Sequence, residues 1–327
     1  MKVQELRQLL SASERANLEK AFVECYKQLQ KGQKEEIDVA LADILEGKEA
    51  EKKKVESAVS FKDLEEQITV FIENAYAQNY FAPNRIIPKS QRPKWRFLVK
   101  NFIKDLEKVP PESEDHPAAV RLLTDIYKLI CQACNYYYFN TDDPFRSIGW
   151  EQWKLYELLT KKTFSQGFSR EDISRLVLLA ATGGLSRESL HTDQQLVLIG
   201  QLRTSDVKYM AIEEAEKLIV EREGELRGFG KYDHKRYSLE DGVNELCGLV
   251  LMISISLAEP DTGIVYYFKH CWRRDIEITL YCALQLADLL DEAEAWLKIY
   301  EYGIKKKIKP RDYLCREYED RVNRVRR

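Results

Sequence analysis

The chain has 327 residues, 44% of them apolar and 32% charged, with only 14 glycines and 9 prolines. That apolar content supports one large or two ordinary cores, and the shortage of turn formers disfavours sheets joined by tight turns. A net charge of −3 argues against wholesale binding of nucleic acid or anionic membrane, yet residues 85–104 carry +7 with no acid and 303–327 carry +6, leaving −16 on the rest.

The N-terminus, Met1-Lys2-Val3-Gln4-Glu5, has no apolar stretch of the secretory kind. Ser11-Ala12-Ser13-Glu14 reads as a capping box that opens a helix to about Lys31, with Leu18, Phe22, Cys25, Tyr26 and Leu29 on one face. A second helix over 34–46 ends near Gly47, and 48–57 is a solvated run of Lys and Glu. Ser60 caps a long helix whose stripe is Leu64, Ile68, Phe71, Ile72, Ala75 and Tyr76. Residues 79–92 read as a loop, and Pro93 suits the first turn of the next helix.

Val109 to Pro117 is the clearest linker, dividing an N-terminal helical region (1–110) from a C-terminal one (111–327) with room for helical repeats. After it come an apolar helix over 117–139 and helices near 148–162, 170–182, 193–203 and 205–224. Residues 224–237 form a loop. Ser238 starts the most apolar helix, whose nearly uncharged run from Leu246 to Ala258 is too short to span a bilayer. Asp261 and Asp275 open two more, and the last follows Pro310. With no alternating strand pattern, the reading is all-α, with about thirteen helices in a multi-helix bundle or an irregular α-solenoid of antiparallel hairpins.

Residues 276–303 resemble a tetratricopeptide-type hairpin through Ala287, the turn Leu290-Asp291-Glu292-Ala293, and Trp296, Leu297 and Tyr300. The first-helix Trp-Leu-Gly-Tyr pattern is missing, Lys305-Lys306-Lys307 replaces the closing proline, and no second copy follows. The N-terminal third is similar to uncharacterised bacterial helical proteins of unknown function, through Leu6, Leu9, Leu10, Leu18, Tyr26 and Asn79-Tyr80-Phe81-Ala82-Pro83. That resemblance implies no activity.

Arg85, Lys89, Arg92, Lys94, Arg96, Lys100 and Lys104 form a candidate polyanion-binding island. At helical spacing Arg96, Lys100, Lys104 and Lys108 share one face, opposite Trp95, Val99, Phe102 and Leu106. An ordinary solvated helix face has the same pattern, but such faces usually mix signs. Tyr136-Tyr137-Tyr138, read as part of a helix, cover nearly every face of one turn and offer a candidate partner groove. Cys131 and Cys134 are spaced as a metal pair, but no second pair completes four ligands, so they read as buried thiols. His116 and His234 fall in predicted loops, where exposure is the default; His191 sits at a helix start, and His270-Cys271 makes no dyad. There is no phosphate loop and no nucleophile elbow.

The expectation is therefore a cytoplasmic, non-enzymatic helical scaffold that binds another macromolecule, first of all a protein. It uses no cofactor or metal and does not enter the membrane. Seven cysteines without framework spacing fit a reducing compartment. The alternatives are nucleic-acid binding through 85–108 and the basic C-terminal tail, or an enzyme with a dispersed site. A pocket joining a histidine to carboxylates would favour the enzyme.

Overall fold

Periodic apolar side chains become helices throughout. The computed structural model has fifteen α-helices and two short 3-10 turns, and no strand, among the described residues, which are 3–29, 60–230 and 232–325 with Lys34, Asp38, Leu41 and Leu45. Contacts divide the chain into two units, 1–60 and 61–327.

In the first unit α1 spans Val3–Ala12 and α2 spans Arg15–Lys27. The capping box read at Ser11–Glu14 is not formed, because the chain is already helical before it. Ser13 donates its hydroxyl to the Leu9 carbonyl at 2.7 Å and so closes α1, while Glu14 takes the N-cap of α2 without a side-chain bond. A serine hydroxyl serves an upstream carbonyl or a downstream N–H, and here the former wins. The helix read over 34–46 lies outside the described residues except at Lys34, Asp38, Leu41 and Leu45, which are helical. The charged run 48–57 lies wholly outside them.

The second unit opens with α3 (Phe61–Tyr76) and, after a 3-10 turn at Arg92–Lys94, α4 (Trp95–Lys108). Pro93 stands at the start of that turn, where its missing N–H costs nothing. Both helices pack on α5 (His116–Ala133), through Leu64, Ile68, Phe71 and Ala75 of α3 and Trp95, Val99, Phe102, Ile103 and Leu106 of α4. The stretch 109–117, read from sequence as a domain boundary, thus lies inside the second unit, with helices on either side sharing one core.

Helix α5 stops at Ala133 rather than near Phe139. Two contacts account for the early stop. Phe139 leaves the helical path to stack on Trp95, ring centroids 3.9 Å apart. The Gly184 backbone also occupies the space beside the last turn of α5. Tyr136, Tyr137 and Tyr138 therefore lie in a loop, not around a helix.

There follow α6 (Pro144–Ile148), which has no counterpart in the sequence reading, α7 (Gln152–Thr163), α8 (Arg170–Ala181), α9 (His191–Gln201) and α10 (Ser205–Leu226). Then come α11 (His234–Ser256), α12 (Pro260–His270), α13 (Ile276–Leu289), α14 (Ala293–Lys305) and α15 (Asp312–Val325). Ser169 and Asp275 cap α8 and α13 by accepting from the N–H groups of Asp172 and Glu277. Two boundaries move: α10 continues through Gly224, and Asp233 caps α11 five residues before Ser238.

Helix α11 is the hub. It packs against α8, α9, α10, α12 and α13, and every residue from Leu246 to Ile255 is buried. A helix apolar all round needs neighbours all round. Among the described residues no helix is long and apolar enough to cross a membrane. Close approach is set by small residues. A Cβ on Gly263 of α12 would stand 2.6 Å from Ser254 Cβ of α11, and one on Gly303 of α14 would stand 2.9 Å from Leu280 Cδ1 of α13. The outer end is an aromatic ladder, Trp296 on Tyr300 and Tyr300 on Tyr318, at 5.7 and 4.4 Å.

Candidate polyanion-binding face

Burial of Trp95, Val99, Phe102 and Leu106 against α5 forces the other side of α4 into solvent. Arg96, Lys100 and Lys104 stand exposed there, as the helical spacing predicts, and so do Arg85, Lys89 and Lys94 in the preceding loop. Arg92 is half-buried, and its Nε donates to the Ile87 carbonyl at 2.8 Å, pinning the loop. No acid occurs between Asn74 and Lys104 in the sequence. Among the described residues none of the seven cations has a carboxylate within 4.0 Å, whereas Lys108 pairs with Asp105.

An asparagine chain shapes the loop. Asn79 Nδ2 donates to Asn74 Oδ1 at 2.7 Å, Asn84 Nδ2 to Asn79 Oδ1 at 2.9 Å, and the Ile86 N–H to Asn84 Oδ1 at 3.0 Å. The even spacing of these three asparagines was the one sequence signal that this loop is built rather than slack. Asn79 is buried, and its polar atoms are satisfied within the chain.

The structure joins the two candidate sites. The loop after α5 carries Phe139 beneath Trp95 and Tyr80, and Asn140 and Thr141 then close a cavity of about 100 Å³ with Arg92, Arg96 and Ser147. Thr141 Oγ1 and Ser147 Oγ lie 2.6 Å apart in its wall. Two residues before Phe139, the Tyr137 ring contacts Phe81 at 5.5 Å, and the Tyr137 carbonyl accepts from Gln78 Nε2 at 3.2 Å. The tyrosine loop therefore lies against the loop that carries Arg85, Lys89 and Arg92. Tyr136 and Tyr137 are 63% and 65% exposed, while Tyr138 is half-buried against Tyr76. Sequence reasoning missed Thr141 and Ser147, which no local pattern marks.

The basic C-terminal segment differs. Arg311 pairs with Glu277, and Arg321 pairs with Asp288 and Glu317 while lying over Trp296. Arg326 and Arg327 lie outside the described residues. Helix α15 packs on α14, and α4 on α5 and α6, so the two basic segments are anchored to different helices.

Cys131 is buried and Cys134 half-buried. Burial pushes both thiols up, Cys134 to about 12, so neither offers a thiolate near neutral pH. Among the described residues no group of three or more His, Cys, Asp or Glu side chains is arranged to hold a metal ion.

The histidines partly depart from expectation. His234 is exposed but opens α11 rather than lying in a loop. His116 is buried at the start of α5, Nε2 3.1 Å from Ser165 Oγ, because α5 and the end of α7 close over it. Its burial and then the Lys162 charge lower its pKa below 6.5, against Glu112 and the Lys162 backbone. Burial likewise lowers His191, against Glu245, the Ala180 backbone and Asp241. With folded pKa values below the unfolded value, the unfolded chain takes up more protons on acidification. The stability these groups contribute is complete above about pH 6.5 and is lost as pH falls below it. Urea midpoints should drop between about pH 7.5 and 5.5, and the pH slope should flatten in His116→Asn/His191→Asn. An equally steep slope in that variant would contradict the assignment.

No protein-family model, curated protein or solved structure matches this chain.

Proposed function

We propose that this chain is a non-enzymatic helical binding protein that holds single-stranded nucleic acid on the face formed by α4 and the loops 77–94 and 134–143. One observation carries the reading: seven cations without a carboxylate partner among the described residues, bordered by two exposed tyrosine rings. Cations without carboxylate partners attract phosphates and release their counterions. Open ring faces stack on bases, which only unpaired strands present.

The test is fluorescence anisotropy with a labelled thymidine oligonucleotide of about 20 nucleotides and the matching duplex. The single strand binds more tightly, and log K falls with log salt at a slope of about −0.7 per phosphate contact, near −3.5 for about five contacts. Tyr137→Ala weakens binding about tenfold with an unchanged salt slope, since it removes a stack and no charge. A flat salt dependence would overturn the reading.

The wider expectation of a protein partner has a narrower support. Phe97 and Ile86 are exposed among the same cations, giving a mixed apolar and basic surface that an acidic partner also fits. An oligonucleotide that fails to bind removes the first reading and leaves this one.

A further inference from the structure

A second cavity lies apart in the sequence, between α9, α11, α13 and the turn after α12. Its volume is about 290 Å³, near the lower end for small-molecule sites. Leu185, Leu190, Leu286 and Leu289 contribute apolar wall, and Arg273 and Glu245 contribute opposite charges.

Arg273 has no carboxylate within 4.0 Å among the described residues, and its buried Nε has no acceptor. Arg273 is half-buried, the Tyr267 hydroxyl and the Cys282 thiol beside it favour its charge against burial, and its planar fork matches a carboxylate bidentately. Glu245 is half-buried. Its Oε2 accepts from Gln195 Nε2 at 3.0 Å, and it has no cation within 4.0 Å among the described residues. The two charges do not neutralise each other, yet the field of each acts on the Cys282 thiol on the same wall. Burial raises that thiol, Arg273 pulls it down and Glu245 pushes it up. The wall of this one cavity thus carries a positive group, a negative group and an apolar side. His191 and Glu245 both line it, and burial holds the Cys282 thiol protonated.

We propose that this cavity binds a small zwitterion with an apolar side chain, an α-amino acid of the leucine type, with its carboxylate on Arg273, its ammonium on Glu245 and its side chain among Leu185, Leu286 and Leu289. The pairing explains why both charges stand unneutralised beside leucines, and it is independent of the basic face.

Isothermal titration of the full chain tests it with three probes: L-leucine, 4-methylpentanoate, which lacks the amine, and 3-methylbutylamine, which lacks the carboxylate. L-leucine binds at one site per chain, and each truncated probe binds at least tenfold more weakly. Arg273→Met and Glu245→Gln each weaken L-leucine at least tenfold. Leu289 lines the cavity but is half-exposed, so Leu289→Trp fills the space without disturbing the core and abolishes binding even if the Arg273 variant fails to fold. The proposal is overturned if L-leucine gives no heat up to millimolar concentration. It is equally overturned if 4-methylpentanoate binds as tightly as L-leucine, or if Leu289→Trp leaves binding intact.

Discussion

Reversing Lys100 and Lys104 to Glu lowers affinity for the thymidine oligonucleotide by about 10²–10³-fold near 0.1 M salt. Each lost phosphate contact removes about 0.7 from the salt slope, which is worth a similar number of decades at that salt, and each introduced carboxylate adds repulsion of similar size. The two residues are one helical turn apart on the exposed face of α4, and neither has a described acid to absorb the change. Lys100 has a second tie. A Cβ on Gly149, the C-cap of α6, would lie 3.2 Å from its Nζ, so the ammonium rests on the negative end of that short helix. Its reversal also costs about 0.3–1 kcal/mol of stability. Lys104→Glu alone has no such tie and gives the cleaner reading. With melting curves confirming the fold, a double variant that binds within a factor of three of the parent would remove the nucleic-acid assignment.

Gly184→Ala destabilises the second unit by at least about 3 kcal/mol, the upper part of the range for overpacked cores. The new Cβ would stand 2.1 Å from the Cys131 carbonyl oxygen, 3.0 Å from Cys134 Cβ and 3.1 Å from Asn135 Cγ, so backbone has to move. Movement breaks a clamp. Buried Gln152 donates from Nε2 to the Gly184 carbonyl at 3.1 Å and accepts from the Ser186 N–H at 2.8 Å. Asp143, also buried, accepts from Ser186 Oγ at 2.7 Å and caps α6 through the Arg146 N–H. Orphaning such groups adds about 1–3 kcal/mol each. For a unit of this size the melting temperature falls by about 6–12 °C. The clamp grips the turn from which the tyrosine loop springs, so oligonucleotide affinity falls with it. Gly200→Ala is the opposite case. Nothing lies within 4 Å of its Cβ position, and the residue is inside α9, so the change stabilises by about 0.5–1 kcal/mol. If both alanines shift stability in the same direction, the packing argument at Gly184 fails.

Sequence alone determined what depends on neighbours three and four residues apart. The spacing of Leu64, Ile68, Phe71 and Ala75 requires a helix, and the run from Leu246 requires one enclosed by others. The exposure of Arg96, Lys100 and Lys104 follows once Trp95, Val99 and Phe102 are buried. Tertiary contacts decided the rest. Helix α5 ends early because Phe139 gains Trp95 and because Gly184, some fifty residues on, occupies its flank. That places Tyr136 and Tyr137 in a loop beside the cations, a meeting no local pattern encodes. Arg273 and Glu245 come to line one leucine-walled cavity only because α9, α11, α13 and the turn after α12 pack together. Periodicity reports which face of one helix is apolar; only the packing of several helices decides which polar groups are left facing each other without partners.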